Sequence, residues 1–163
     1  MIKVGDRIPD ATLKHLTASG IEDVSTTDVF KGRKVALFAV PGAFTPTCAQ
    51  QHLPDYIANA AKFREKGLDD VVCLAVNDPF VMKAWGDKSE VGDAVTMLAD
   101  GNGELTKAMG LDFDGSGVGL GTRCKRFSAY LDDGVFKVLE VEDNPGVVSV
   151  SGAERLLNLI EQA

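Results

Sequence analysis

The stretch that most constrains this chain is Val35-Ala36-Leu37-Phe38-Ala39-Val40 followed at once by Pro41-Gly42-Ala43-Phe44-Thr45-Pro46-Thr47-Cys48. Six apolar residues without a break suit a strand buried on both faces, as in the middle of an α/β sheet. Two prolines and a glycine then forbid regular structure and force a tight connection. Thr45 or Thr47 is placed to cap a helix, and Pro46 fits a first helical position, where its missing N–H costs nothing. Cys48 is therefore expected in the first turn of a helix at the carboxyl end of a central strand, where open α/β sheets bind their ligands.

That placement carries chemistry. Unpaired backbone N–H groups and the positive end of a helix favour a thiolate over a thiol. A free cysteine of pKa about 8.5 is only about 3% ionised at pH 7. Lowering a thiol pKa enriches the thiolate, but nucleophilicity falls with a slope of about 0.4–0.5, which returns much of the gain. Fast chemistry at Cys48 thus needs a second device that stabilises the leaving group in the transition state. The competing reading is a buried structural cysteine that starts a helix, but such a site has no use for the surrounding prolines and threonine hydroxyls.

The rest of the chain supplies a scaffold for that turn. Asp10–Thr17 and Ile21–Val24, separated by Ser19-Gly20, read as a hairpin, and Ser25-Thr26-Thr27-Asp28 caps a short helical turn. Apolar residues Leu53, Tyr56, Ile57, Ala60, Ala61 and Phe63 keep helical spacing to Gly67, with a kink expected at Pro54. Val71-Val72-Cys73-Leu74-Ala75-Val76 is a second buried strand, and Asn77-Asp78-Pro79 opens a helix whose apolar stripe is read as Phe80, Val81, Ala84 and Trp85. Strand, helix, strand implies a parallel pair with a right-handed crossover. Ala94–Ala99 is a third strand, and Asp100–Gly103 a turn into a helix ending at Met109. The glycine-rich stretch from Asp112 to Gly121 reads as a flexible loop with no ligand, since Arg123 stands where a calcium loop needs its bidentate glutamate. Asp132-Asp133-Gly134 joins two strands as a hairpin, and Ser151-Gly152-Ala153-Glu154 resembles a capping box before a helix with Leu156, Leu157 and Ile160 inward.

Composition narrows the function. The 163 residues suit a single domain over 1–163, and a net charge of −7 argues against nucleic-acid and anionic-membrane partners. No segment approaches the roughly 18 apolar residues of a membrane span. Met1–Asp6 carries no signal-peptide hydrophobic region, so a cytoplasmic location is expected. Three cysteines (Cys48, Cys73, Cys124) are too few and too widely spaced for a disulfide framework, and His15 and His52 offer no zinc spacing, so no metal or cofactor is expected. His52 falls on the face of Cys48, as a supporting donor or as a satisfied core histidine. A Cys–His hydrolase is the rival, though its histidine comes from a distant element with an orienting partner, and none is visible here.

The run Pro41–Cys48, its extension to Gln51-His52-Leu53-Pro54, Val76–Trp85 and Lys125-Arg126-Phe127-Ser128 together resemble the peroxiredoxins, and within them the peroxiredoxin-5 or plant type II branch. The resemblance covers nearly the whole chain. It implies an α/β thioredoxin-like fold with a mixed central sheet flanked by helices. It implies reduction of hydrogen peroxide and organic hydroperoxides at Cys48 through a sulfenic acid. It gives Thr45 a hydrogen-bonding role toward the peroxide, Pro41 the task of shielding the sulfur, and Arg126 that of favouring the thiolate and stabilising developing charge. Cys73 matches the second cysteine of the plant type II members, so it is either an internal resolving thiol or a small core residue. Cys124 matches no family role. Where some members carry a resolving cysteine before the last helix, this chain reads Val147-Val148-Ser149-Val150, which excludes that route. An external thiol, glutathione with glutaredoxin or thioredoxin, is then the expected reductant, and a non-covalent homodimer near Phe44 and Trp85 the expected assembly. From another class, the same cysteine could serve a redox sensor that relays oxidation to a partner.

Overall fold

The computed structural model describes residues 1–163. Its centre is β3 (Lys34–Ala39), buried along all but its first residue. On one side β3 pairs parallel with β4 (Asp70–Ala75), which pairs parallel with β5 (Thr96–Ala99). On the other it runs antiparallel to β8 (Phe127–Asp132), which continues into β9 (Val135–Val141). β1 (Thr12–Thr17) joins β5 by the single pair Lys14↔Ala99 and carries β2 (Gly20–Ser25) at the edge. The order β2-β1-β5-β4-β3-β8-β9 makes one mixed seven-stranded sheet.

The unbroken apolar runs are explained by what covers each face. Ala36, Phe38, Val40, Val71, Cys73 and Ala75 share one core with α2 (Leu53–Glu65), α3 (Pro79–Lys88) and α5 (Ala153–Gln162). Val35, Leu37, Ala39, Val72 and Leu74 face the other core, with α1 (Thr26–Phe30) and α4 (Glu104–Ala108). Alternate side chains of one strand therefore feed two cores, so both must be apolar. Phe38 stacks on Tyr56 with ring centroids 4.0 Å apart, fixing α2 against β3.

Several local expectations change. Phe80 points to solvent, 60% exposed, while Met82, Trp85 and Gly86 form the inward stripe of α3. Asp78 caps that helix from its side chain onto Val81 N–H, so the start was legible and the phase was not. The stretch Asp112–Gly121 is no open loop. β6 (Asp112–Asp114) and β7 (Thr122–Cys124) pair antiparallel across a short helical turn at Ser116–Val118. Ser151 does not cap α5; an Asp55 carboxylate oxygen on α2 accepts from Ala153 N–H at 2.7 Å instead. At the β8–β9 hairpin, Asp133 and Gly134 have φ of 51° and 77°, the left-handed pair that a two-residue turn between right-twisted strands requires.

Candidate active site

β3 delivers the chain into the expected turn. Pro41 and Gly42 are buried at its end, and Ala43 N–H donates to Asn77 Oδ1 at 2.9 Å, tying the turn to the end of β4. Phe44 takes φ 65°, a left-handed conformation for a bulky residue, of the kind held at functional sites by surrounding structure. Neither threonine caps the helix through its hydroxyl. Thr45 donates to Gly42 O at 2.7 Å and Thr47 to Gly146 O at 2.8 Å, so both hydroxyls stitch the turn to its surroundings.

Cys48 begins a π-helical turn, Cys48–His52, closed by Leu53 N–H donating to Cys48 O. Pro54 has no N–H to continue the ladder, and a widened turn before it accommodates that loss. This is the irregularity expected as a kink at Pro54. The widened turn sets Cys48 and His52 toward one buried arginine rather than toward each other.

Arg126, immediately before β8, reaches this turn because Phe127 pairs with Ala39 at the end of β3. Its Nη2 donates to Cys48 Sγ at 3.0 Å, its Nη1 to His52 Nδ1 at 2.9 Å, and its Nε to Pro145 O at 3.0 Å. Three of the five guanidinium N–H groups are thus engaged and two remain for a ligand. Arg126 is 1% exposed and Cys48 0%. None of the chain's ion pairs involves Arg126. This buried guanidinium has no carboxylate partner, and the side chains it donates to are the Cys48 sulfur and the His52 imidazole.

His52 is the acceptor in this arrangement. With Nε2 donating to Ser151 O at 3.0 Å, Nδ1 keeps the lone pair that Arg126 uses. Burial, joined by the Arg126 charge, holds the imidazole down to about 3. The folded protein therefore binds fewer protons at His52 than the unfolded chain between about pH 3 and 6.5. Stability from this group is complete above pH 6.5 and is lost as pH falls toward 3, by up to about 4 kcal/mol. The urea midpoint is expected to drop markedly between pH 7 and 4, and to drop less in His52→Asn. Equal drops in the two proteins would remove His52 as the cause.

The other candidates separate. Cys73 sits opposite Phe38 in the same core as Cys48, and burial pushes its thiol well up, with the neighbouring Cys48 adding to the effect. Cys124 lies across the sheet in the other core, its thiol pushed by burial up to about 12. All three cysteines are free thiols. The basic cluster divides as well: Arg123 donates to Pro41 O at 3.2 Å, whereas Lys125 lines a separate cleft with Phe113 and Val141. Missed altogether in the sequence is Glu142, whose buried carboxylate accepts five hydrogen bonds from Ser149, Val150 and Ser151. A glutamate in a polar run after a strand carries no periodic signal.

Comparisons with known proteins bear on the family and the fold. The Redoxin family model matches residues 3–157. Peroxiredoxin-2E-2, chloroplastic, from Oryza sativa subsp. japonica is 48% identical over 164 residues, covering 98% of this chain and 72% of the relative. Peroxiredoxin-2D from Arabidopsis thaliana is 44% identical over 160 residues, covering 98% of both chains. Among solved structures, reduced Prx3 in complex with hydrogen peroxide from Vibrio vulnificus superposes with a TM-score of 0.92 at 46% identity, covering 97% of this chain and 98% of that one. These relatives place the mixed sheet in the thioredoxin-like fold. Their names span compartments, one chloroplastic and one with none stated, and no helix of this chain is long and apolar enough to cross a membrane.

Proposed function

The chain belongs to the Redoxin family, among the plant type II peroxiredoxins, and is a thiol-dependent peroxidase; from that premise we propose that Cys48 is the reacting sulfur and Arg126 its activator. The observation that carries the assignment is the buried Arg126 donating to Cys48 Sγ at 3.0 Å. The thiolate attacks one peroxide oxygen, the O–O bond breaks, and the second oxygen leaves as alkoxide or hydroxide and is protonated to alcohol or water. Cys48 is left as a sulfenic acid. The two remaining Arg126 N–H groups suit the oxygen on which charge develops. Thr45, whose hydroxyl donates to Gly42 O, keeps lone pairs to accept from the peroxide, and buried Pro41 walls the sulfur from water. A fixed turn that binds a small peroxide and excludes bulk water leaves an enclosed sulfenic acid, so recycling needs this turn to open.

The reductant we propose is an external thiol, glutathione with glutaredoxin or thioredoxin, because Cys73 is a buried strand thiol pushed away from ionisation. One thiol condenses with the sulfenic acid, releasing water, and a second displaces the mixed disulfide. The proposed assembly is a non-covalent homodimer. Phe44 is 49% exposed and packs 6.4 Å from Trp85 over an apolar groove with Ala49, Pro54 and Ile57. A monomeric mass at micromolar concentration would count against that assembly.

The test is a rapid mix of reduced protein with one equivalent of hydrogen peroxide, quenched with a sulfenic-acid trap and read by peptide mass. The expected product is a trap adduct at Cys48 within milliseconds to seconds, with Cys73 still free. A Cys48–Cys73 disulfide would replace the external thiol by internal resolution. Single oxidation that no thiol reverses would instead mark a sensor, and absence of an adduct would overturn the Cys48 assignment.

A further inference from the structure

Between β9 and α5 the chain runs as an irregular, largely exposed strap, residues 143–152. Three of its backbone carbonyls reach into the site. Pro145 O accepts from Arg126 Nε, Gly146 O from the Thr47 hydroxyl, and Ser151 O from both His52 Nε2 and the Tyr56 hydroxyl, the last at 2.9 Å. An exposed segment without a strand or helix has little of its own to fix those carbonyls. One side chain supplies the anchor. Glu142 Oε2 accepts from Ser149, Val150 and Ser151 N–H, each at 2.8 Å, and from the Ser151 hydroxyl at 2.7 Å, while Oε1 accepts from the Ser149 hydroxyl at 2.6 Å. Three successive N–H groups on one carboxylate oxygen form an anion nest. The backbone of the same residue donates to Arg126 O at 2.9 Å, so Glu142 grips the strap with its side chain and the arginine with its main chain.

We propose that Glu142 is a positioning residue for the peroxidase reaction: it holds the 143–152 strap closed, and the closed strap sets the arginine and histidine geometry that peroxide needs. Release of the strap frees Thr47 beside Cys48 and loosens Arg126, which favours the opened turn that a reducing thiol must reach. Glu142 thereby sets the balance between the oxidising and recycling halves of the cycle. This inference rests on the assignment of Cys48 and Arg126 above. In support, burial works to raise the Glu142 carboxyl, and the Ser149 and Ser151 hydroxyls with the backbone N–H groups overcome it and hold it at about 2, so the anchor stays charged at working pH.

Glu142→Gln keeps the shape and one carbonyl oxygen but removes the negative charge that the three backbone N–H groups surround, and it sets an amide NH2 where Oε1 accepts from the Ser149 hydroxyl. Two rates read the effect. Sulfenic-acid formation at Cys48 is expected to slow about ten- to hundredfold, the scale of lost hydrogen bonds to a charged group. Reduction of the preformed sulfenic acid by glutathione is expected to quicken a few-fold, with two thiols consumed, one water released and a disulfide formed. Opposite changes distinguish positioning from general damage, which slows both. The double variant Ser149→Ala, Ser151→Ala removes only the hydroxyl donors and is expected to move both rates in the same senses by less; it decides the matter where Glu142→Gln fails to fold. Two unchanged rates, or two that fall together, overturn the proposal. The native protein run alongside separates the premises: if it forms no Cys48 sulfenic acid, the assignment of the site fails, whereas a normal native reaction with unaltered variants sinks only the role of Glu142.

Discussion

Cys48→Ser is expected to abolish peroxide turnover, by at least about a thousandfold against the native protein, while the fold survives. The substitution is nearly isosteric at a site that is 0% exposed, and a serine hydroxyl can still accept from Arg126 Nη2. What is lost is the nucleophile. A serine hydroxyl is not ionised near neutral pH and has no general base here, because His52 spends its one acceptor on Arg126 and its one donor on Ser151 O. The His52 geometry that forbids serine chemistry also disposes of a Cys–His hydrolase, since the imidazole cannot take a proton while it accepts from a guanidinium. Peroxide consumption with a thiol reductant is the measurement, with a thermal melt to confirm folding. Turnover retained in a folded Cys48→Ser protein would move the reaction to Cys73 or Cys124.

The parts of this site that were readable in the sequence are those dictated by neighbours along the chain. The six apolar residues from Val35 required two cores, and the sheet provides them. The prolines fixed where Cys48 begins its turn, and Asp78 before Pro79 marked a helix start. Tertiary partners decided the rest. Thr45 and Thr47 are sound caps by local preference, yet backbone carbonyls at Gly42 and Gly146 take their hydroxyls. Ser151 has the sequence of a capping residue, but the Glu142 carboxylate claims its hydroxyl and Asp55 caps the helix in its place. Phe80 reads into the apolar stripe of α3 with Val81, Ala84 and Trp85, and the helix turns Met82, Trp85 and Gly86 inward instead. Arg126 was assigned through resemblance to a family motif; its distance to Cys48 follows from the β3–β8 register, which no local pattern encodes. Glu142 had neither route, being one acid in a polar run.

Arg126→Ala carries the other large effect, a loss of about 2–4 kcal/mol of transition-state stabilisation, which is roughly thirty- to a thousandfold in the second-order rate with hydrogen peroxide. Three consequences act together. The sulfur loses its only charged donor, His52 Nδ1 loses the group it accepts from, and the strap carbonyl Pro145 O loses its donor. Only the first bears on the developing oxygen charge, so Arg126→Lys is the informative companion. Lysine retains the positive charge but not the planar fork that reaches Sγ, Nδ1 and a carbonyl at once. If charge alone activates Cys48, lysine restores most of the rate. If simultaneous aim at sulfur and peroxide oxygen is the device, lysine stays close to alanine, which is the expected result from a guanidinium with three donors already committed and two left for substrate. Stopped-flow rates for the two variants and the native protein decide between charge and geometry. An unchanged rate in Arg126→Ala would remove the arginine from the mechanism, leaving the helix start alone to activate the sulfur, a device that ionises a thiol without stabilising its leaving group.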